Sequence, residues 1–205
     1  SYVVNGGPRP VSDEKRQRVE KAIAELGYRR NTLASALISG QSNLVGLLVP
    51  DSSNPFFGEL AREIEREARA RGYLTLVGNT GHDSAIEHSY VEAMSDLRVR
   101  AIFVTSVNDR IEDAGTCPII YVHSAPPGAT GNSILFDDFE GGVLATRHLI
   151  SLGFREIACL AGDMDFGPFL QRRLGWQHAM DEAGLPSRGL HYHVASDRLE
   201  AAAQI

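Results

Sequence analysis

His191 and His193 flank Tyr192 and would share one side of a strand. Two imidazoles at that spacing are half of a metal site. No third ligand stands nearby, so surface histidines are the plainer reading. Asp137 and Asp138 precede a helix-like segment. Together they could form an acid pair; one of them could instead cap the helix by accepting from its first N–H groups. Cys117 and Cys159 are too few and too far apart for a disulfide framework or a zinc motif. Beside or within apolar strands they read as small buried hydrophobes rather than reactive thiols. The chain has no G-x-x-x-x-G-K-S/T loop, no G-x-G-x-x-G after its first strand and no G-x-S-x-G elbow. Nucleotide-dependent and serine-nucleophile chemistry therefore lack their usual supports, and neither an enzyme, a cofactor nor a resident metal is expected.

The elements that would carry these residues follow from periodicity. Ser12 opens a helix with Asp13 and Glu14 in its first turn, an apolar face of Val19, Ala22, Ile23 and Leu26, and Gly27 as its stop. Gly6–Pro10 reads as a turn. Residues 31–39 are helix-permissive but too short to be stable alone. Leu44–Val49 is a continuous apolar run, the mark of a strand buried on both faces. Asn54-Pro55 opens a helix with Phe57, Leu60, Ile64 and Ala68 on its face, ended by Gly72. Tyr73–Val77 is a strand, Ile86, Tyr90, Ala93, Met94 and Leu97 form a helix face, and Ala101–Thr105, Pro118–Val122 and Ser133–Phe136 are strands. A helix over Asp138–Leu152, a strand over Glu156–Ala161, a helix marked by Trp176, Ala179, Met180 and Ala183, and a strand over Leu190–Val194 complete the series. This alternation predicts parallel strands with helices on both faces and ligands at the strands' carboxyl ends. The loops there are Pro50–Pro55, Gly78–Asp83, Thr105–Asp109, His123–Gly128 and Gly162–Leu170.

The 205 residues are 43% hydrophobic and 22% charged, enough apolar material for one large domain or two small ones. No run approaches a membrane span, and no signal peptide is read at Ser1–Gly7. A reducing, cytoplasmic location is expected from the cysteine usage. The net charge of −6 divides unevenly. Residues 1–42 hold seven basic and four acidic side chains, and the rest hold 13 basic and 22 acidic. A basic head on an acidic body suits a DNA-contacting module fused to something else, although a short segment of this charge also arises by chance.

Ser1–Gly6, then Val11-Ser12, then Ala24-Glu25-Leu26-Gly27-Tyr28 and Asn31-x-x-Ala34-x-x-Leu37 resemble the head of a LacI/GalR-family transcription regulator. Val45–Pro50, Asn54–Phe57, Gly72-Tyr73, Asp137–Gly142, His148–Gly153 and Arg172–Trp176 resemble that family's sensor, in the family's order. The resemblance implies an α/β fold. It consists of periplasmic-binding-protein-like parallel-sheet lobes with helices on both faces, preceded by a truncated all-α helix-turn-helix head and a hinge helix. Its divisions would be residues 1–30 for the head remnant and 31–42 for the hinge and linker. The sensor would occupy 43–205, with a first lobe at about 43–137 and a truncated second lobe at about 138–205. Ser1–Asn5 would end the recognition helix, and the second lobe would continue past Ile205.

The implied function is an effector-responsive DNA-binding repressor, a cytoplasmic homodimer that senses a small molecule, most simply a sugar. A solute-binding protein of sugar transport has nearly the same body and is the alternative. Ser1 and Asn5 would lie near phosphates, and Asn31, Thr32 and Ala34 would face the DNA groove or backbone. Leu37 matches the wedge that kinks DNA from the minor groove. Arg30 stands where the family usually has proline. On the sensor, Phe56 and Phe57 match an aromatic pair, with Phe56 facing the ligand because Phe57 shares the Leu60/Ile64 face. Arg172 matches the arginine of R-x-x-G-aromatic, whose planar fork suits hydroxyls or a carboxylate. Phe166, Asn79 and Asp51 are further effector-binding candidates. His123-Ser124 stands where an arginine often follows the fourth strand.

Overall fold

The computed structural model describes residues 11–27, 42–106, 108, 115, 117–129, 132–162, 166–187 and 191–194, the last strand by its backbone alone. The chain divides into two compact units, Ser1–Ser42 and Asn43–Ile205. Ser1, Asn5, Asn31, Thr32, Ala34 and Leu37, together with the Gly6–Pro10 turn and the hinge segment, lie outside the described residues.

In the first unit, helix α1 spans Asp13–Glu25, with Asp13 and Glu14 in its first turn against the positive end of the helix dipole. Ser12 stands at the cap in extended conformation, but its side chain makes no capping hydrogen bond. Gly27 ends the helix at φ +58°. Val19 and Ile23 are half-buried. Leu26, expected on the same packed face, is 81% exposed. It lies at the C-cap, beyond the last full turn.

In the second unit the expected alternation is present. β1 (Leu44–Val49), α2 (Pro55–Ala70), β2 (Leu74–Asn79), α3 (Ser84–Asp96), β3 (Ile102–Val104), β4 (Ile119–Val122) and β5 (Ser133–Ile134) build a five-stranded sheet in the order β2-β1-β3-β4-β5. All its pairings are parallel; β1 sets Leu44 opposite Leu74 on one side and Gly46 opposite Ile102 on the other. The apolar run of β1 is explained by what its two faces meet. Leu47 and Val49 pack with Phe57, Leu60 and Ile64 of α2. Leu48 points the other way, into Val91 and Met94 of α3 and into Ile102, Val104 and Tyr121. A central strand buried on both faces has no use for alternation.

The expected face of α3 is rotated by about one residue. Glu87, Val91 and Met94 are buried, whereas Ile86 and Leu97 are about two-fifths exposed. The cause is a polar residue on the inner face. Glu87 is fully buried and accepts from Ser106 Oγ (2.8 Å) and Asn108 Nδ2 (2.7 Å). Hydrogen bonds of this kind offset the desolvation of a buried carboxylate.

β6 (Cys159–Gly162) and β7 (His191–Val194) form a second, parallel sheet with α4 (Asp138–Ser151) and α5 (Gly167–Glu182). Ile157, Trp176 and Met180 are its core, and Trp176 Nε1–H donates to the Ile157 carbonyl (3.0 Å). The strand expected from Glu156 begins only at Cys159. α4 and α5 touch backbone to backbone. A methyl group at Gly142 would overlap the Arg172 carbonyl oxygen, and one at Gly175 would overlap that of Phe139. Among the described residues no helix is long and apolar enough to cross a membrane.

Candidate functional site

The site is built at the carboxyl ends of β1, β2 and β4, where Phe136 of the crossover to the second sheet meets residues that follow β1 and β4. After β1, the Asp51 carboxylate accepts from Ser53 N–H and Ser53 Oγ–H, both at 2.8 Å. Asn79, at the end of β2, accepts from Ser52 N–H (2.7 Å). Both side chains therefore hold the β1–α2 turn in shape. Asn54 caps α2 by accepting from Phe56 N–H (3.1 Å), and Pro55 fills the first helical position, where a missing N–H costs nothing. This fixed start separates the two rings that follow. Phe57 enters the core under β1, at 9% exposure, while Phe56 stays 42% exposed.

Phe56 is one wall of an aromatic cluster. Its ring centroid lies 4.7 Å from that of His123 and 6.3 Å from that of Phe136, and His123 and Phe136 are 5.7 Å apart. Phe136 is 58% exposed. His123 follows β4 in a tight three-residue turn in which Ser124 N–H donates to the Val122 carbonyl (2.8 Å). Its φ is +67°, a region that few side chains tolerate. The His123 N–H continues the ladder to the Ile134 carbonyl (2.9 Å), which holds the segment leading to Phe136 beside it. His123 Nδ1 and Ser124 Oγ are buried with no hydrogen-bond partner among the described residues. Burial pushes the His123 imidazole below the ordinary histidine range, against the pull of Asp138 and with the help of Arg172.

The second sheet contributes the charged pair. Asp137 caps α4 by accepting from Glu140 N–H (2.9 Å). Asp138 is 8% exposed, and one of its oxygens receives both Nε and Nη2 of Arg172, each at 2.7 Å. Of the two adjacent carboxylates, one is a cap and the other an arginine partner. Phe166 stands half-buried at the start of α5. A methyl at Gly167 would lie 2.9 Å from Ser124 Oγ, so the beginning of α5 rests on the turn that carries His123.

Phe56 and Arg172 are thus gathered around His123, while Phe57, Asn79 and Asp51 sit in supporting positions. Phe136 is not among the candidates read from the sequence, and Asp138 figures there only as half of an acid doublet or as a helix cap. In the sequence Phe136 reads only as the end of a strand over Ser133–Phe136, which the structure ends at Ile134, and nothing links Asp138 to an arginine 34 positions away. Cys117 and Cys159 are half-buried free thiols, each shifted upward by burial. Among the described residues, no three His, Cys, Asp or Glu side chains are grouped to hold a metal. The side chains of His191 and His193 lie outside the described set. Exposed rings around a histidine that an oriented guanidinium also influences suit a small ligand with one apolar face and several hydrogen-bonding groups.

Residues 42–205 match the family profile for periplasmic binding proteins and the sugar binding domain of the LacI family. The chain is 34% identical over 194 residues to the HTH-type transcriptional regulator DegA of Bacillus subtilis, covering 91% of this chain and 57% of DegA. It is 33% identical over 191 residues to the ribose operon repressor of Escherichia coli K12, covering 90% and 58%. Among solved structures, it resembles a periplasmic binding protein/LacI transcriptional regulator from Alkaliphilus metalliredigens, complexed with D-xylulofuranose. That match has a TM-score of 0.65 and 28% identity over 74% of this chain and 57% of the other. A LacI family regulator from Silicibacter pomeroyi matches with a TM-score of 0.65 and 26% identity over 76% and 59%. The chain spans a little under three-fifths of the length of these curated relatives. The profile match and the identity to the two regulators together show that the chain belongs to the LacI family, with the family's periplasmic-binding-protein-like domain at residues 42–205.

Proposed function

We propose that the protein is an effector-responsive DNA-binding transcription regulator, a repressor that works as a cytoplasmic homodimer and senses a sugar. It is not an enzyme in this reading. The observation that carries the sugar assignment is the gathering of exposed Phe56 and Phe136 around His123, which also feels the charges of the Arg172–Asp138 pair. A sugar ring offers C–H faces to such rings and hydroxyls to the guanidinium. Relatives lend support: one is named for the ribose operon, and another was solved with D-xylulofuranose. In the same reading the effector lies between a first lobe at 43–137 and a second beginning at 138. Residues 1–30 belong to a DNA-binding head and 31–42 to a hinge. Ser1, Asn5, Asn31, Thr32 and Ala34 then touch operator DNA, and Leu37 wedges into its minor groove.

The test is calorimetric titration with a panel of free pentoses and hexoses that includes D-ribose and D-xylulose. One sugar should bind, and Phe56→Ala and Arg172→Ala should each weaken it at least about tenfold. Sugar sensing is abandoned if none binds a protein whose circular dichroism shows it folded. The regulator half is read on a version extended upstream by a helix-turn-helix. Binding to a palindromic duplex, weakened by Leu37→Ala and altered by the bound sugar, supports it. A protein that binds sugar but no specific DNA is a solute-binding protein, a reading that the family profile also admits.

A further inference from the structure

We infer that His123 makes sugar capture pH-dependent: its neutral imidazole is the middle ring of the platform formed with Phe56 and Phe136, and protonation dismantles that platform. The inference rests on the sugar-sensing reading above and concerns the regulation of the same site.

Three features of the structure carry it. First, His123 lies 4.7 Å from Phe56 and 5.7 Å from Phe136, whereas those two rings are 6.3 Å apart. The imidazole therefore links a helix start to the crossover segment. Second, its Nδ1 is buried with no hydrogen-bond partner among the described residues. Protonation would put an N–H on both ring nitrogens, and the buried one would lack an acceptor. Neighbouring Phe faces attract a cation but cannot replace that acceptor. Third, the turn leaves the backbone little freedom to adjust. His123 sits at φ +67° with its own N–H and that of Ser124 both engaged. Relief has to come from swinging the ring out of the cluster.

Among the described residues, two charged groups face the imidazole from the elements packed around it. Asp138 of α4 favours the protonated form, and Arg172 of α5 opposes it. They are bonded to each other, so much of their influence cancels. The groups from α2, Phe56 and Phe57, and from the crossover, Phe136, carry no charge. Burial outweighs the rest and holds the ring neutral. With the platform intact only in the neutral form, sugar affinity falls as pH drops through the His123 midpoint. Below that midpoint the fall approaches about tenfold per pH unit.

The experiment has two arms. In the first, the imidazole nitrogen signals of the sugar-free protein are followed by NMR from pH 8 to 5, with His123 assigned by its loss in His123→Asn. The neutral pattern should persist below about pH 6.5, the ordinary value; a midpoint at or above that value overturns the inference. In the second, the sugar of the panel that binds at pH 7.5 is titrated calorimetrically across the same range. The wild type should lose affinity on acidification. His123→Asn should bind several-fold more weakly at pH 7.5 but equally at every pH, since asparagine tolerates positive φ and does not titrate. A wild-type affinity that is flat with pH, or an unchanged slope in His123→Asn, overturns the inference and leaves the sugar reading standing. If no panel sugar binds at pH 7.5, the sugar reading itself fails and takes the inference with it.

Discussion

Adjacent glycines in α4 should respond in opposite directions to the same substitution. Gly142 faces α5: a methyl there would overlap the Arg172 carbonyl oxygen and sit 3.0 Å from Arg172 Cα. Gly141 is on the outer side of the same turn, exposed, with no atom of the described residues within 4 Å of its would-be methyl. Alanine is favoured over glycine in a helix interior by about 1 kcal/mol, so Gly141→Ala should stabilise by that amount. Gly142→Ala gains the same propensity but must push two packed helices apart by roughly an ångström. Overpacking of this kind costs about 3 kcal/mol when the obstruction is backbone rather than a movable side-chain end. The net expectation is a loss of about 2 kcal/mol. At a urea dependence of about 2 kcal/mol per molar, the unfolding midpoint should fall by about 1 M in Gly142→Ala and rise by about 0.5 M in Gly141→Ala. The displaced backbone is that of Arg172 itself, so Gly142→Ala should also weaken any ligand that Arg172 holds. A Gly142→Ala midpoint at or above wild type would show that α4 and α5 do not cross through these glycines.

Glu87→Ala removes the acceptor of Ser106 Oγ and Asn108 Nδ2 at a fully buried position, and should lower stability by about 3 kcal/mol in urea unfolding; Glu87→Gln should cost less because it keeps an acceptor. Trp176→Phe removes the donor to the Ile157 carbonyl in the second core and should cost about 2 kcal/mol by the same assay. Because the folded-state pKa of His123 is lowered, the unfolded chain binds the extra proton first. Its contribution to stability is thus present above about pH 6.5 and is lost as pH falls from there toward the folded-state midpoint; His123→Asn should abolish that part of the slope. Cys117 and Cys159, shifted upward by burial, should react with a disulfide reagent at pH 8 much more slowly than after unfolding; equal rates would contradict their placement.

Periodicity and punctuation made most of the second unit legible. β1 falls where the apolar run put it, and α2 starts at the Asn54-Pro55 signal and ends before Gly72. Those signals are local, and the physics that reads them acts within a turn or two. What stayed hidden was long-range and polar. The apolar pattern alone misplaces the face of α3, because the partners that allow Glu87 inside lie 19 and 21 positions later. Asp138 was visible as half of a doublet, but its guanidinium partner comes from another helix. Asn79 and Asp51 were picked out for standing at strand ends, and the structure has them tying the β1–α2 turn. In the sequence His123 stands out only as the start of a ligand-end loop and as a departure from a family pattern; its unusual φ and its buried nitrogen are properties of a turn that no spacing rule encodes.

The pairing of Arg172 with Asp138 bears on what the proposed site can select. An arginine alone at the mouth of a cleft would draw anions, and a phosphorylated or carboxylated effector would be the natural inference. Here two of its nitrogens are spent on one oxygen of a carboxylate that is itself nearly buried. The pair presents no net charge, yet its remaining N–H groups are held in a fixed direction. Oriented donors without net charge favour a neutral hydroxyl over an anion, because an anion would have to compete with Asp138 for the same guanidinium. Asp138→Asn should therefore shift preference rather than merely weaken binding. The variant leaves Arg172 less neutralised, so it should lose affinity for the neutral sugar and gain it for the corresponding sugar phosphate in parallel titrations. If the phosphate gains nothing in Asp138→Asn, the pair is a structural clasp between α4 and α5 and has no part in selection.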